Sequence, residues 1–141
     1  MDREILFRGI NFQKEWVYGD LFHSYANDDI AIAYYREGSK TPTFDAVFPE
    51  SAGQYTGLKD KNGVKIFEGD IVHLKGDGYD GSKVGKDYYR VVTFHEGSFC
   101  LSIEDGVHYP VHTPIHDYGD SHSIVNWVVI GNVTDNPELI K

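Results

Sequence analysis

Four histidines, His108, His112, His116 and His122, crowd the C-terminal third of the chain. Neutral imidazole is the commonest protein ligand for transition metals, and a spacing of four aligns ligands along one face of a helix. His108, His112 and His116 have that spacing. Pro110 and Pro114 interrupt the helix it would need, because proline removes a backbone donor and clashes with the preceding turn. On an extended chain His108 and His112 still share a face, with Asp117 and Asp120 as oxygen ligands. Neither a cysteine pair nor an HExxH arrangement accompanies them. The competing reading is a polar loop containing histidines by chance; the metal reading would make this region the centre of a metal-dependent hydrolase.

Other chemistry-bearing residues are weaker. The run Gly76-Asp77-Gly78-Tyr79-Asp80-Gly81-Ser82-Lys83 is glycine-rich, but it lacks the P-loop spacing and its aspartates would repel phosphate. Carboxylate pairs occur at Asp28-Asp29, Glu104-Asp105 and Glu68 with Asp70. Glycoside hydrolysis requires two such groups facing each other across a cleft, whereas neighbours on a turn are usually solvated. Asp70 is better placed to accept backbone donors in its own reversal. Cys100, between Phe99 and Leu101, reads as a buried structural thiol. Serine, histidine and aspartate are all present without a nucleophile elbow. No cofactor is implied.

Binding chemistry is the remaining class. Tyr55, Tyr79, Tyr88, Tyr89, Tyr109 and Tyr118 exceed what a small core needs, and tyrosine is enriched at interfaces. Tyr55, Lys59, Asp60 and Lys61 form the candidate binding set. With Lys65, the lysines also offer a small basic patch to nucleic acid. Against that stands a formal charge of −9, with residues 1–50 and 51–141 both acidic. Affinity for phosphate backbones depends on counterion displacement by Lys and Arg, so a protein partner is favoured over nucleic acid.

The elements that must hold these residues are strands. The chain has 141 residues, among them 10 Tyr, 8 Phe and 2 Trp, and its β-branched runs favour sheet. A lone cysteine points to a reducing compartment. No apolar run approaches membrane-spanning length, and Met1 to Glu4 lack a signal-peptide layout, so a cytoplasmic location is expected.

Glu4–Arg8 and Glu15–His23 read as strands joined by a hairpin at Asn11–Lys14. Asp28-Asp29 is a turn, and Ile30–Tyr35 is a strand or a buried helical turn. Gly38–Pro42 is loop, Thr43–Val47 is ambiguous, and Pro49–Gly53 is a connector. Asp60-Lys61-Asn62-Gly63 is a strong hairpin signal, since Asn and Gly tolerate positive φ. Glu68-Gly69-Asp70 is a second reversal, feeding a strand over Ile71–Leu74. Gly76–Asp87 reads as a long mobile loop. Strands follow over Tyr88–Phe94, Ser98–Ile103, His108–Val111 and Ile124–Val133, the last with Trp127 near its middle. Asn136 caps a short helical turn that Pro137 opens. The sum is a mainly β protein: an N-terminal strand-rich segment over 1–50, then a small barrel or roll over 51–141. One compact domain over 1–141 is the alternative division.

Three blocks of this sequence resemble the YopX-like proteins of bacteriophages and prophages. The first is Arg3-Glu4-Ile5-Leu6-Phe7-Arg8 with Trp16-Val17-Tyr18-Gly19-Asp20. The second runs from Gln54 through Asn62-Gly63 to Ile66-Phe67-Glu68-Gly69-Asp70-Ile71-Val72. The third is Val129-Ile130-Gly131-Asn132-Val133 with Asn136-Pro137-Glu138-Leu139. Gly9 departs from the pattern, standing where many members carry a larger residue, and the Gly76–Asp87 and Pro110–Ser123 loops are individual. The resemblance implies an SH3-like β-roll in the C-terminal part and supplies no catalytic residues. The expected function is a non-enzymatic phage accessory protein that binds a host or phage protein. Self-association is also expected, because exposed strand edges in the N-terminal segment need covering.

Overall fold

The computed structural model describes residues 2–24, 29–76, 87–103 and 110–140. The protein is mainly β, with two antiparallel sheets and, among the described residues, three short 3-10 turns as its only helical segments. No helix among the described residues is long and apolar enough to cross a membrane. Two compact units divide the chain, Met1–Gly57 and Leu58–Lys141.

In the first unit β1 (Phe7–Ile10) pairs with β2 (Trp16–His23), β2 with β3 (Ile30–Tyr34), and β3 with β4 (Thr43–Val47), all antiparallel. Neighbours on both sides settle Ile30–Tyr34 as strand, and Thr43–Val47 becomes one through its ladder to β3. The Asn11–Lys14 hairpin forms: the Asn11 side-chain oxygen accepts the Gln13 and Glu15 amides, and Lys14 adopts a φ of 67°. Strand pairing starts at Phe7 rather than Glu4. The sheet curls until the end of β4 reaches back to β1, bridging Asn11 to Val47. Gly9 makes this possible, since a Cβ there would lie 2.9 Å from Val47. Ile32, on the inner face of β3, is fully buried. A 3-10 turn at Pro49–Ser51 leads into β5 (Gly53–Lys59), whose first residues pair with β1.

The second unit begins within β5. The Asp60–Gly63 turn, with Gly63 at a φ of 78°, returns the chain into β6 (Lys65–Phe67). Gly69 at a φ of 93° makes the next reversal, into β7 (Asp70–Leu74). The five-stranded sheet of this unit adds β8 (Tyr88–His95), β9 (Ser98–Ile103), β10 (Val111–Pro114) and β11 (Val128–Asn132), in the order β10-β9-β8-β7-β11. Glu96 and Gly97 both take positive φ, the geometry of a two-residue hairpin between β8 and β9. Ile66, Val72, Val92, Leu101, Ile124 and Trp127 form the core.

Two expectations for this unit are corrected. The long strand over Ile124–Val133 is instead a 3-10 turn at Ile124–Asn126 followed by β11. Ile124 and Trp127 are buried while Val125 is 41% exposed, a period of three that a strand cannot supply. β11 then carries a bulge between Val129 and Gly131. The strand expected at His108–Val111 is found at Val111–Pro114; His108 lies outside the described residues. Pro114 is tolerated at the end of β10 because β10 is an edge strand, and Pro110 precedes it. At the C-terminus Pro137–Ile140 is a 3-10 turn, and the Asn136 side chain accepts the Asn132 amide, tying the turn to β11. Of the expected Gly76–Asp87 loop, residues 77–86 lie outside the described residues, as does Asp28 of the expected turn.

Candidate functional site

The central block is consumed by its own architecture. Asp60 is 5% exposed; its Oδ1 accepts the amides of Asn62 and Val64 at 2.8 and 2.9 Å, and its Oδ2 accepts the Val129 amide at 2.9 Å. An aspartate at the start of an Asn-Gly hairpin folds onto its own backbone in this way. Tyr55 is buried in β5, with its amide bonded to the Leu6 carbonyl. Both are therefore withdrawn from the binding surface proposed for them, whereas Lys59 and Lys61 are exposed. Asp70, also buried, accepts the Phe67 amide at 2.8 Å. Cys100 is buried in β9.

The histidines go to different neighbours. His112 stacks on His95 with ring centroids 3.8 Å apart, and its Nδ1 lies 2.7 Å from the Ser102 hydroxyl, which in turn meets Thr93 Oγ1 at 2.6 Å. Ser102 is 3% exposed, so this chain of side chains across β8, β9 and β10 reads as a polar ladder of the sheet. His116 stacks instead on Tyr118, at 4.4 Å. Asp120 accepts the His122 amide at 2.9 Å, turning the chain toward the Ile124–Asn126 segment. Among the described residues no group of three His, Cys, Asp or Glu side chains is placed to hold a metal ion. His108 lies outside them, as do Glu104, Asp105, Tyr79 and Tyr109.

The second unit contains a pocket of about 350 Å³ that the sequence reading missed. Leu74, Leu101, Ile115, Ile124 and Trp127 supply apolar wall; Arg90, His116 and His122 supply polar groups. No described lining residue carries a carboxylate. Arg90 stands opposite Val72 in the β7–β8 ladder, in alternation with Tyr88 and the core residue Val92. It is thus a charged side chain on the inward face of a central strand. Its guanidinium donates to the Tyr89 carbonyl at 2.8 Å and lies 5.6 Å from the Tyr88 ring centroid. Desolvation pulls its pKa below the ordinary arginine value. In the pocket wall, Trp127 Nε1 and His116 Nδ1 are buried with no hydrogen-bond partner among the described residues. The signal was legible in the period-two register of Tyr88, Arg90 and Val92, which puts Arg90 on the apolar face.

The first unit presents a second feature. Phe22 and Phe44 contact edge to face, ring centroids 5.2 Å apart, yet are 51% and 53% exposed. Phe22 faces Ala31 across the β2–β3 ladder and Phe44 faces Ala33 across β3–β4, so small residues separate the rings. The tyrosine-based search for exposed aromatics overlooked these phenylalanines.

Fold and site together define a mainly β protein with a donor-lined pocket and an exposed aromatic pair. Residues 6–141 match the family described as YopX protein, and the chain belongs to that family. It is similar in fold to a crystal structure of protein EF1440 from Enterococcus faecalis, with a TM-score of 0.57 and 24% identity, covering 99% of this chain and 100% of that one. No curated protein matches it.

Proposed function

We propose that this chain is a non-enzymatic accessory protein of phage or prophage origin, acting in the host cytoplasm by binding a host or phage protein. The observation that carries the reading is the Phe22–Phe44 pair. Two phenylalanines left half exposed on a bed of alanines form an apolar patch of the kind that marks protein interfaces. Ile32, on the opposite face of the same sheet, already supplies a buried core contact, so fold stability does not account for the exposed rings. Site chemistry supports the non-enzymatic part: Cys100 and Ser102 are buried in β9. The net charge of −9 favours a protein over nucleic acid. The antiparallel sheet of the second unit is compatible with the SH3-like roll that the family resemblance implies.

The test is affinity capture from host cells with the intact protein and with Phe22→Ser/Phe44→Ser, both checked for an unchanged circular dichroism spectrum. Loss of a specific partner in the double variant is the expected result. Identical partners in both captures would remove the aromatic face from consideration. Sedimentation of the purified protein separates a second copy from a foreign partner.

A further inference from the structure

Independently of the partner face, we propose that the second-unit pocket binds a small organic anion, a carboxylate or phosphate carried on a flat apolar body. Three observations converge on that chemistry. The first is the placement of Arg90. A cation on the inward face of a central strand is normally held by a carboxylate, yet no described residue lining the pocket carries one. One guanidinium N–H is taken by the Tyr89 carbonyl; the remaining donors suit the two oxygens of an incoming anion.

The second observation is the composition of the wall. His116 and His122 join the cationic Arg90, and the other described side chains around the cavity with polar atoms, Thr113, Tyr88 and Trp127, carry no carboxylate. In a chain of charge −9 this is a local reversal of sign. The third is the pair of buried nitrogens with no hydrogen-bond partner among the described residues, Trp127 Nε1 and His116 Nδ1. Trp127 is only 4% exposed, and an indole N–H is a donor only, so it calls for an acceptor. A ligand oxygen reaching the pocket wall would satisfy it. The apolar remainder, chiefly Leu74, Leu101, Ile115 and Ile124, sets the character of the ligand body. A volume of about 350 Å³ fits one small molecule of a few fused or linked rings and is at the lower end of ligand sites.

The test uses 8-anilinonaphthalene-1-sulfonate, an anion on a flat apolar body, beside the uncharged N-phenyl-1-naphthylamine. Fluorescence titration of the intact protein is expected to show saturable one-site binding, tighter for the sulfonate. Arg90→Met should weaken the sulfonate by about tenfold, the loss of one charge-assisted contact, and leave the amine within about twofold. The Trp127 indole N–H resonance, assigned by comparison with Trp16→Phe, should shift on saturation. Competition with naphthoate and naphthyl phosphate then distinguishes the carboxylate from the phosphate source. Equal sulfonate affinity in Arg90→Met, an unmoved indole resonance, or displacement by neither competitor would overturn the proposal.

Discussion

Asp60 and Val129 are 69 positions apart in the chain, and the Asp60 carboxylate accepts the Val129 amide at 2.9 Å while its other oxygen holds the Asn62 and Val64 amides. One buried carboxylate thus closes the β5–β6 hairpin and docks β11 against it. A second bond, from the Lys61 amide to the Trp127 carbonyl, reinforces the junction. Asp60→Ala would leave three amides without their charged acceptor. The expected loss is about 1–3 kcal/mol: hydrogen bonds to a charged acceptor are worth roughly 1.5–3 kcal/mol, but Asn62 and Val64 are exposed and water can replace part of theirs. Urea denaturation checks it; a loss below about 1 kcal/mol would mean that water replaces the carboxylate.

Gly9 and Val47 form a steric pair. A Cβ at Gly9 would lie 2.9 Å from the Val47 Cβ and Cγ2 atoms, at the place where the curled first sheet meets itself. Gly9→Ala should destabilise the protein by about 1–3 kcal/mol through overpacking. Val47→Ala alone opens a cavity, but added to Gly9→Ala it should recover part of the loss. A thermodynamic cycle over the two sites reads the coupling, and strict additivity would show that the contact is relieved by other means.

Arg90 is predicted to lower stability in the absence of ligand. Arg90→Met removes a partly buried cation with no carboxylate among the described pocket residues and retains an unbranched stem. Thermal unfolding should show the variant about 0.5–1 kcal/mol more stable, as expected when an unpaired charge gives way to an apolar side chain. A clear decrease in stability would indicate that the Tyr89 and Tyr88 contacts outweigh desolvation.

Tyr34 supplies a pH-dependent term. Its hydroxyl donates to Asp45 Oδ2 at 2.7 Å, and that hydrogen bond, followed by desolvation, raises its pKa above the usual tyrosine value. A folded pKa above the unfolded one means stability fully present below about pH 10 and lost as the pH rises through the raised folded value. The stability difference between the native protein and Tyr34→Phe should therefore hold to about pH 10 and shrink above it. Asp45→Asn should bring the phenolate transition, followed by ultraviolet absorbance, back toward the ordinary range.

Much of the fold was legible because local chemistry dictated it. Asn62-Gly63, Glu96-Gly97 and Gly69 each take the positive φ that a tight reversal requires, or sit beside a residue that does. The Ile124–Asn126 turn was misread because a short apolar run has no period of its own; burial of Ile124 and Trp127 against the core selected a period of three. Arg90 illustrates the same limit for the site. Its alternation with Tyr88 and Val92 could be seen, but a pocket wall whose described residues carry no carboxylate is a property of several strands brought together.

By itself the sequence determined a mainly β chain of the YopX family, its main hairpins and the turn chemistry of Gln54 to Val72, because these depend on φ preferences and period-two patterning within a few residues. Tertiary structure decided which side chains are available. It buried Tyr55 and Asp60, sent His112 and His116 to different neighbours, and set Arg90 beside Trp127 at one pocket. Those outcomes depend on which strands pair and how each backbone donor is satisfied, choices made between residues far apart in the chain.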